Sequence, residues 1–193
     1  MTFRVILIVC LSASRAFAQS EMQKLAAVFA GRWTVIDKSE PDTRHPSGLI
    51  RKGEERWHTL PGGIPLVEEY HSKSSDGREE FDSAAIWWDA TAHRYVGLFC
   101  AGFVDQGCTP FNVVWRTSRQ SAKQGHPSSH QRRMQEEIIM SGEYQENGKK
   151  QMWREDFSFT SPKTFTQTLF LGERGQELKR AAVIVATRSG DTT

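Results

Sequence analysis

Hydrophobic and polar positions change rhythm once along this chain. Residues 20–30, SEMQKLAAVFA, place Met22, Leu25, Ala26 and Phe29 three and four apart, with Ser20 set to cap. That spacing predicts a short amphipathic helix. After Gly31-Arg32-Trp33 the period falls to two. Strands are expected from Trp33 onward and over 49–60, 64–71, 81–88, 94–100, 110–117, 136–144, 150–160, 164–171 and 177–187. Turn residues separate them, among them Pro61-Gly62-Gly63, Ser74-Ser75-Asp76-Gly77 and Glu146-Asn147-Gly148. Asp89-Ala90-Thr91-Ala92-His93 is a hairpin-length connection. Residues 119–133, RQSAKQGHPSSHQRR, hold no large apolar side chain and read as a surface loop; 190–193 read as a flexible tail.

One helix and about ten strands on short turns leave no room for the crossover helices a parallel sheet needs. An antiparallel meander follows. Closing it removes the unpaired edges, so the expected fold is an all-β, up-and-down barrel of about ten strands over 19–189. A two-sheet sandwich is the competing arrangement.

Alternate residues of a strand face opposite ways. On 151–159 one face reads Gln151, Trp153, Glu155, Phe157, Phe159; the other reads Met152, Arg154, Asp156, Ser158. On 81–89 both faces carry a tryptophan, Trp87 on one and Trp88 on the other. Neither face is cleanly polar, so period alone leaves open which one points inward. A barrel this wide holds more space than its side chains fill. Trp57, Trp87, Trp115 and Trp153 are candidate walls of a ligand cavity, and Arg116 and Arg154 candidate anchors for an anionic head. Glu68 and Glu69 are further candidate charges. The alternative is that the tryptophans are plain core and the charges a solvated outer face.

The first residues alter the charge reading. Arg4, the apolar run Val5 to Leu11 and Ala16-Phe17-Ala18 have the order of a secretory signal peptide cleaved after residue 18. Removing 1–18 takes away Arg4 and Arg15, so the 25 basic residues become 23 against 23 acidic ones. A near-neutral mature chain gives no electrostatic case for nucleic acid. No apolar run of about 18 residues is present, so no transmembrane helix is expected. Export, to a periplasmic or extracellular space, makes a Cys100–Cys108 disulfide plausible; free buried thiols are the other option.

The residues Gly31-Arg32-Trp33 after a helix resemble the Gly-x-Trp opening of lipocalin-like barrels. Gly53-Glu54-Glu55-Arg56-Trp57, the run from Leu60 to Tyr70 and the run from Trp88 to Gly97 look like a family of bacterial exported lipocalin-like proteins that has no assigned function. The resemblance spans about residues 22–187. It implies the barrel and a tendency to bind small apolar molecules; it brings no catalytic site, and the 119–133 loop and the cysteine pair depart from it.

Motifs for other chemistries are missing. There is no GxSxG, HExxH, P-loop or GxGxxG. His58 and His71 could meet across adjacent strands, but two histidines do not make a zinc site; His71 is the best candidate for a haem ligand. Glu69 and Glu155 could pair as acid and base, with nothing to select them. The basic 119–133 loop lacks the aromatics that stack on bases. No metal or cofactor is therefore expected, and the partner expected is a small hydrophobic or amphipathic molecule. The alternatives are a hydrolase or isomerase sited in the barrel mouth, and a cavity-free envelope interaction module.

Overall fold

A computed structural model of the chain describes residues 17–193, apart from 44, 102–106, 120–133, 147 and 191–193. Most of the signal segment, nearly all of the basic loop and most of the tail lie outside the described residues. A helix, α1, covers residues 17–29. Ten strands follow: β1 (Gly31–Ser39), β2 (Ile50–Thr59), β3 (Leu66–Ser74), β4 (Glu79–Asp89), β5 (Arg94–Ala101), β6 (Cys108–Arg119), β7 (Met134–Glu146), β8 (Lys149–Ser161), β9 (Thr164–Glu173) and β10 (Lys179–Arg188).

Each strand pairs antiparallel with its neighbour in sequence, and β1 pairs with β10 from Trp33↔Arg188 to Ser39↔Ala182. That last ladder closes the barrel and leaves no edge, so the sandwich is excluded. The strands extend beyond the apolar pattern that forecast them. β7 and β8 run 13 residues each because backbone pairing continues through polar positions such as Gln145↔Lys150. β3 starts later than expected, at Leu66, since Pro65 has no N–H to give a ladder. Gly53 bends the wall: a Cβ there would lie 2.1 Å from the His71 carbonyl oxygen, so only glycine lets β2 press so closely on β3.

The inward face is read from burial. Trp33, Val35 and Asp37 of β1 are buried, as are Glu55 and Trp57 of β2, and their strand neighbours are exposed apart from half-buried His58. Helix α1 caps one end. Met22, Leu25 and Phe29 are wholly buried, each contributing about 1.5–3 kcal/mol through burial. Phe29 stacks on Trp57 at 4.7 Å and meets Phe157, Phe159 and Phe165 edge-on at 5.3, 5.4 and 6.2 Å. The Trp33 indole N–H donates to the Phe29 carbonyl at 2.8 Å, and the Tyr95 hydroxyl donates to the Glu21 carbonyl at 3.0 Å. These bonds fasten the plug to β1 and β5. The opposite end carries the β1–β2, β3–β4, β5–β6, β7–β8 and β9–β10 connections. There Cys100 and Cys108, partners in the β5–β6 register, form a disulfide.

Candidate functional site

Between the aromatic plug and the far rim the lumen is two-sided. Strands β2, β3 and β4 aim acids inward. Glu55 stands two residues before Trp57 on the same face; Glu68 lies opposite Trp57 across the β2–β3 ladder, and Asp82 opposite Tyr70 across β3–β4. β8 lies five strands from β3 in either direction, so it forms the facing wall. From it Glu155 points inward, between Trp153 and Phe157. Around Glu155 the wall is apolar. Leu171 pairs with Trp153 and Leu169 with Glu155, while the Phe99 ring lies 5.7 Å from that of Trp153. Gly142 leaves room for the Trp153 indole, whose Nε1 a Cβ would approach to 2.8 Å.

Burial sets the electrostatics. The Glu55 carboxylate accepts the Trp57 indole N–H. Loss of water nevertheless raises the Glu55 pKa to about 7, against that bond. Burial raises Glu155 to about 8, opposed by a hydrogen bond with Gln167 and reinforced by the charges of Glu55 and Asp82. Glu68 is pushed well above the carboxylate range, first by burial and then by Glu55, Glu155 and Asp82. Glu68 and Glu155 lie half-buried on the inner face of the wall, and both keep some accessible surface. Accessible surface deep inside a closed wall faces a hollow.

Nearer the rim a second group pairs internally, one cation between two acids. Arg51 meets Asp37 at 2.9 Å and Glu80 at 3.0 Å. Burial works against its charge, but the two carboxylates outweigh that and raise its pKa. Asp37, itself buried, is shifted upward by desolvation although Arg51 opposes the shift.

The residues singled out from the sequence are divided between the two faces. Trp57 and Trp153 are buried and face inward, and Trp115 is half-buried against the core, 6.5 Å from Tyr95. Trp87 does not join them. It pairs with Val96 on the outer face, and its neighbour Trp88 turns inward onto Tyr95 at 4.9 Å. Arg116 is exposed outside, alternating with buried Val113 and half-buried Trp115. Arg154 also lies outside, over the Phe170 ring at 4.4 Å and bonded to Asp156 at 2.9 Å. Neither arginine reaches the lumen, so the anionic-head anchoring expected of them has no geometric basis. Glu69 pairs with Arg56 on the outer surface and is not near Glu155. His71 is exposed and stacks flat on Phe81 at 4.3 Å; it lies opposite Glu54, not His58. Of the lumen acids, sequence reasoning reaches Glu68 as a candidate charge and Glu155 as a partner for Glu69; it does not single out Glu55 and Asp82. A signal for inward acids was available: Glu55 and Glu155 each sit two positions from a tryptophan that faces inward.

No helix among the described residues is long and apolar enough to cross a membrane. No protein-family model and no curated protein matches the sequence. Among solved structures, Rv2717c from M. tuberculosis matches with a TM-score of 0.59 at 12% identity, over 87% of this chain and 96% of that one. This chain therefore shares its calycin-like barrel fold. An S-type phycobiliprotein lyase from Guillardia theta follows at a TM-score of 0.49 and 8% identity, over 86% and 92% of the two chains. A de novo designed fluorescence-activating β-barrel has a TM-score of 0.40 at 13% identity, over 85% and 97%. At scores below 0.5 these last two likenesses say nothing about this chain.

Proposed function

We propose that the protein binds one small amphipathic molecule in the barrel lumen. A single observation supports this most: Glu68 and Glu155 sit on facing walls of the lumen and both retain accessible surface, with Trp153, Leu169 and Leu171 forming an apolar patch around Glu155 and across from Glu68. Such a space offers hydrocarbon contact on one side and polar groups on the other, the division typical of small-ligand pockets. The wall candidates retained are Trp57, Trp115 and Trp153, with Trp88 in place of Trp87. The working chain is exported and begins near residue 19, as the signal-like leader and the disulfide suggest. Cleavage after Ala18 would shorten α1 by two residues and keep its plug, Met22, Leu25 and Phe29. Native mass spectrometry of the purified protein, with tryptophan-quenching titrations against fatty acids, aliphatic amines and retinoids, tests the reading. Saturable one-to-one binding supports it; no binding across the panel refutes it.

A second reading has one observation in its favour. Glu55 at about 7 and Glu155 at about 8 titrate where general acid–base catalysts work. A hydrolase or isomerase would return a bound molecule chemically altered. Mass analysis of the ligand recovered after incubation separates this reading from simple binding.

A further inference from the structure

We infer that the lumen is built for an organic cation: a protonated amine held among Glu55, Glu68 and Glu155, with its apolar body against Phe99, Trp153, Leu169 and Leu171. This rests on the small-ligand reading above and names the chemistry of that ligand.

The lumen is strongly acidic. Asp37, Glu55, Glu68, Glu80, Asp82 and Glu155 face inward. Of the basic side chains on that face, Arg51 is engaged by Asp37 and Glu80, and Arg188, over the Trp33 ring at the plug end, is bonded to the Val28 and Ala30 carbonyls. The central acids therefore lie beyond the neutralising reach of both. Glu68 states the problem most sharply. Enclosed by protein, it has no hydrogen bond or ion pair with any described residue, and the charged groups that bear on it are other acids. An enclosed carboxyl without a partner either keeps a proton or takes up a positive charge. Its accessible surface on the inward face lets that charge come from a ligand.

The geometry also bears on which cation. Among the described residues no three acidic, histidine or cysteine side chains converge closely enough to hold a metal ion. The carboxyls instead stand on facing walls, Glu55 and Glu68 on β2 and β3, Glu155 on β8. An ammonium group has several N–H donors on a tetrahedral centre and needs only one or two carboxyls within hydrogen-bond reach, where a metal ion needs three or more ligands at once. The apolar patch around Glu155 then takes the hydrocarbon attached to that nitrogen. The Trp153 ring beside Glu155 adds a favourable contact for a cation.

Matched probes test this. Isothermal titration of the full chain with decylamine, decanol and decanoate, at about pH 8, keeps the tail constant and changes only the head; the amine is then protonated. Decylamine should bind at least about tenfold more tightly than the other two, which is what one charge-assisted hydrogen bond supplies. Glu68→Gln should erase most of that advantage, bringing decylamine affinity to within about threefold of decanol affinity in the same variant, and Glu155→Gln should do the same if the first variant folds poorly. Equal affinities for amine and alcohol, tightest binding of decanoate, or an amine preference that survives both variants would overturn the inference and leave the small-ligand reading intact. Failure of all three probes to bind would remove the small-ligand reading itself.

Discussion

Replacing Glu155 by glutamine should stabilise the protein at neutral pH and do little in acid. The glutamine amide has the size of the carboxyl and can keep the hydrogen bond with Gln167. Glu155 titrates at about 8 in the folded barrel and near 4.5 in the unfolded chain. Between those values the folded protein holds a proton that the unfolded chain has released, so stability falls as pH rises through the window. Integrating that difference gives a cost of about 4 kcal/mol at about pH 7.5 and under about 0.5 kcal/mol at about pH 4.5. Both are upper bounds, because the carboxyl keeps some contact with the lumen. Urea unfolding of both proteins at the two pH values reads the difference without adding salt that would screen charge. The gain at neutral pH corresponds to a rise in Tm of up to about 8–16 °C. Equal stability at neutral pH, or the same gain at both, would show that Glu155 is not held neutral by burial in the lumen.

Three further outcomes follow from the same geometry. Phe29→Ala removes the ring on which Trp57, Phe157, Phe159 and Phe165 converge, so it should cost about 3–5 kcal/mol in urea unfolding; a loss under about 1 kcal/mol would mean that α1 is not the plug. Reduction of the Cys100–Cys108 bond opens a loop of about nine residues and should cost about 2.6 kcal/mol, measured by unfolding with and without reductant. Arg116→Ala and Arg154→Ala should leave the affinity for any lumen ligand within about twofold, since both side chains lie outside; a larger loss in titration would place the ligand on the outer surface.

Much of the architecture was legible because its signals are local. Three-and-four spacing of Met22, Leu25 and Phe29 marks the helix. Asp89 to His93 marks a hairpin, and its side chain-to-backbone bonds, Thr91 and Ala92 N–H to the Asp89 carboxylate at 2.9 and 3.0 Å, show why. Closure was legible only as the way to dispose of edges; the β1–β10 ladder joins residues some 150 positions apart, and nothing local encodes it. The facing of strands was harder. On β8 the aromatic set won the interior and carried Glu155 in with it, because Trp153 and Phe157 lose more by exposure than one carboxyl loses by holding a proton. On β4 two adjacent tryptophans compete, and pairing of Trp88 with Tyr95 turns that one inward and sends Trp87 out. A charge pattern alone made the arginines look like anchors. The structure shows that most charges on the inward face are acids, several sharing it with inward tryptophans, and that Arg51 sits among them beside Asp37 and Glu80.

Two neighbours on β9 give the most direct test of a lumen-bound ligand. Leu169 faces inward opposite Glu155, and Phe170 faces outward beneath Arg154. Leu169→Trp fills the proposed cavity; Phe170→Trp adds similar bulk to the outer wall. Calorimetric titration with decylamine should give one-to-one binding for the wild type and Phe170→Trp, and a loss of at least about tenfold for Leu169→Trp. Undiminished binding by a folded Leu169→Trp variant would place the ligand elsewhere and contradict the account.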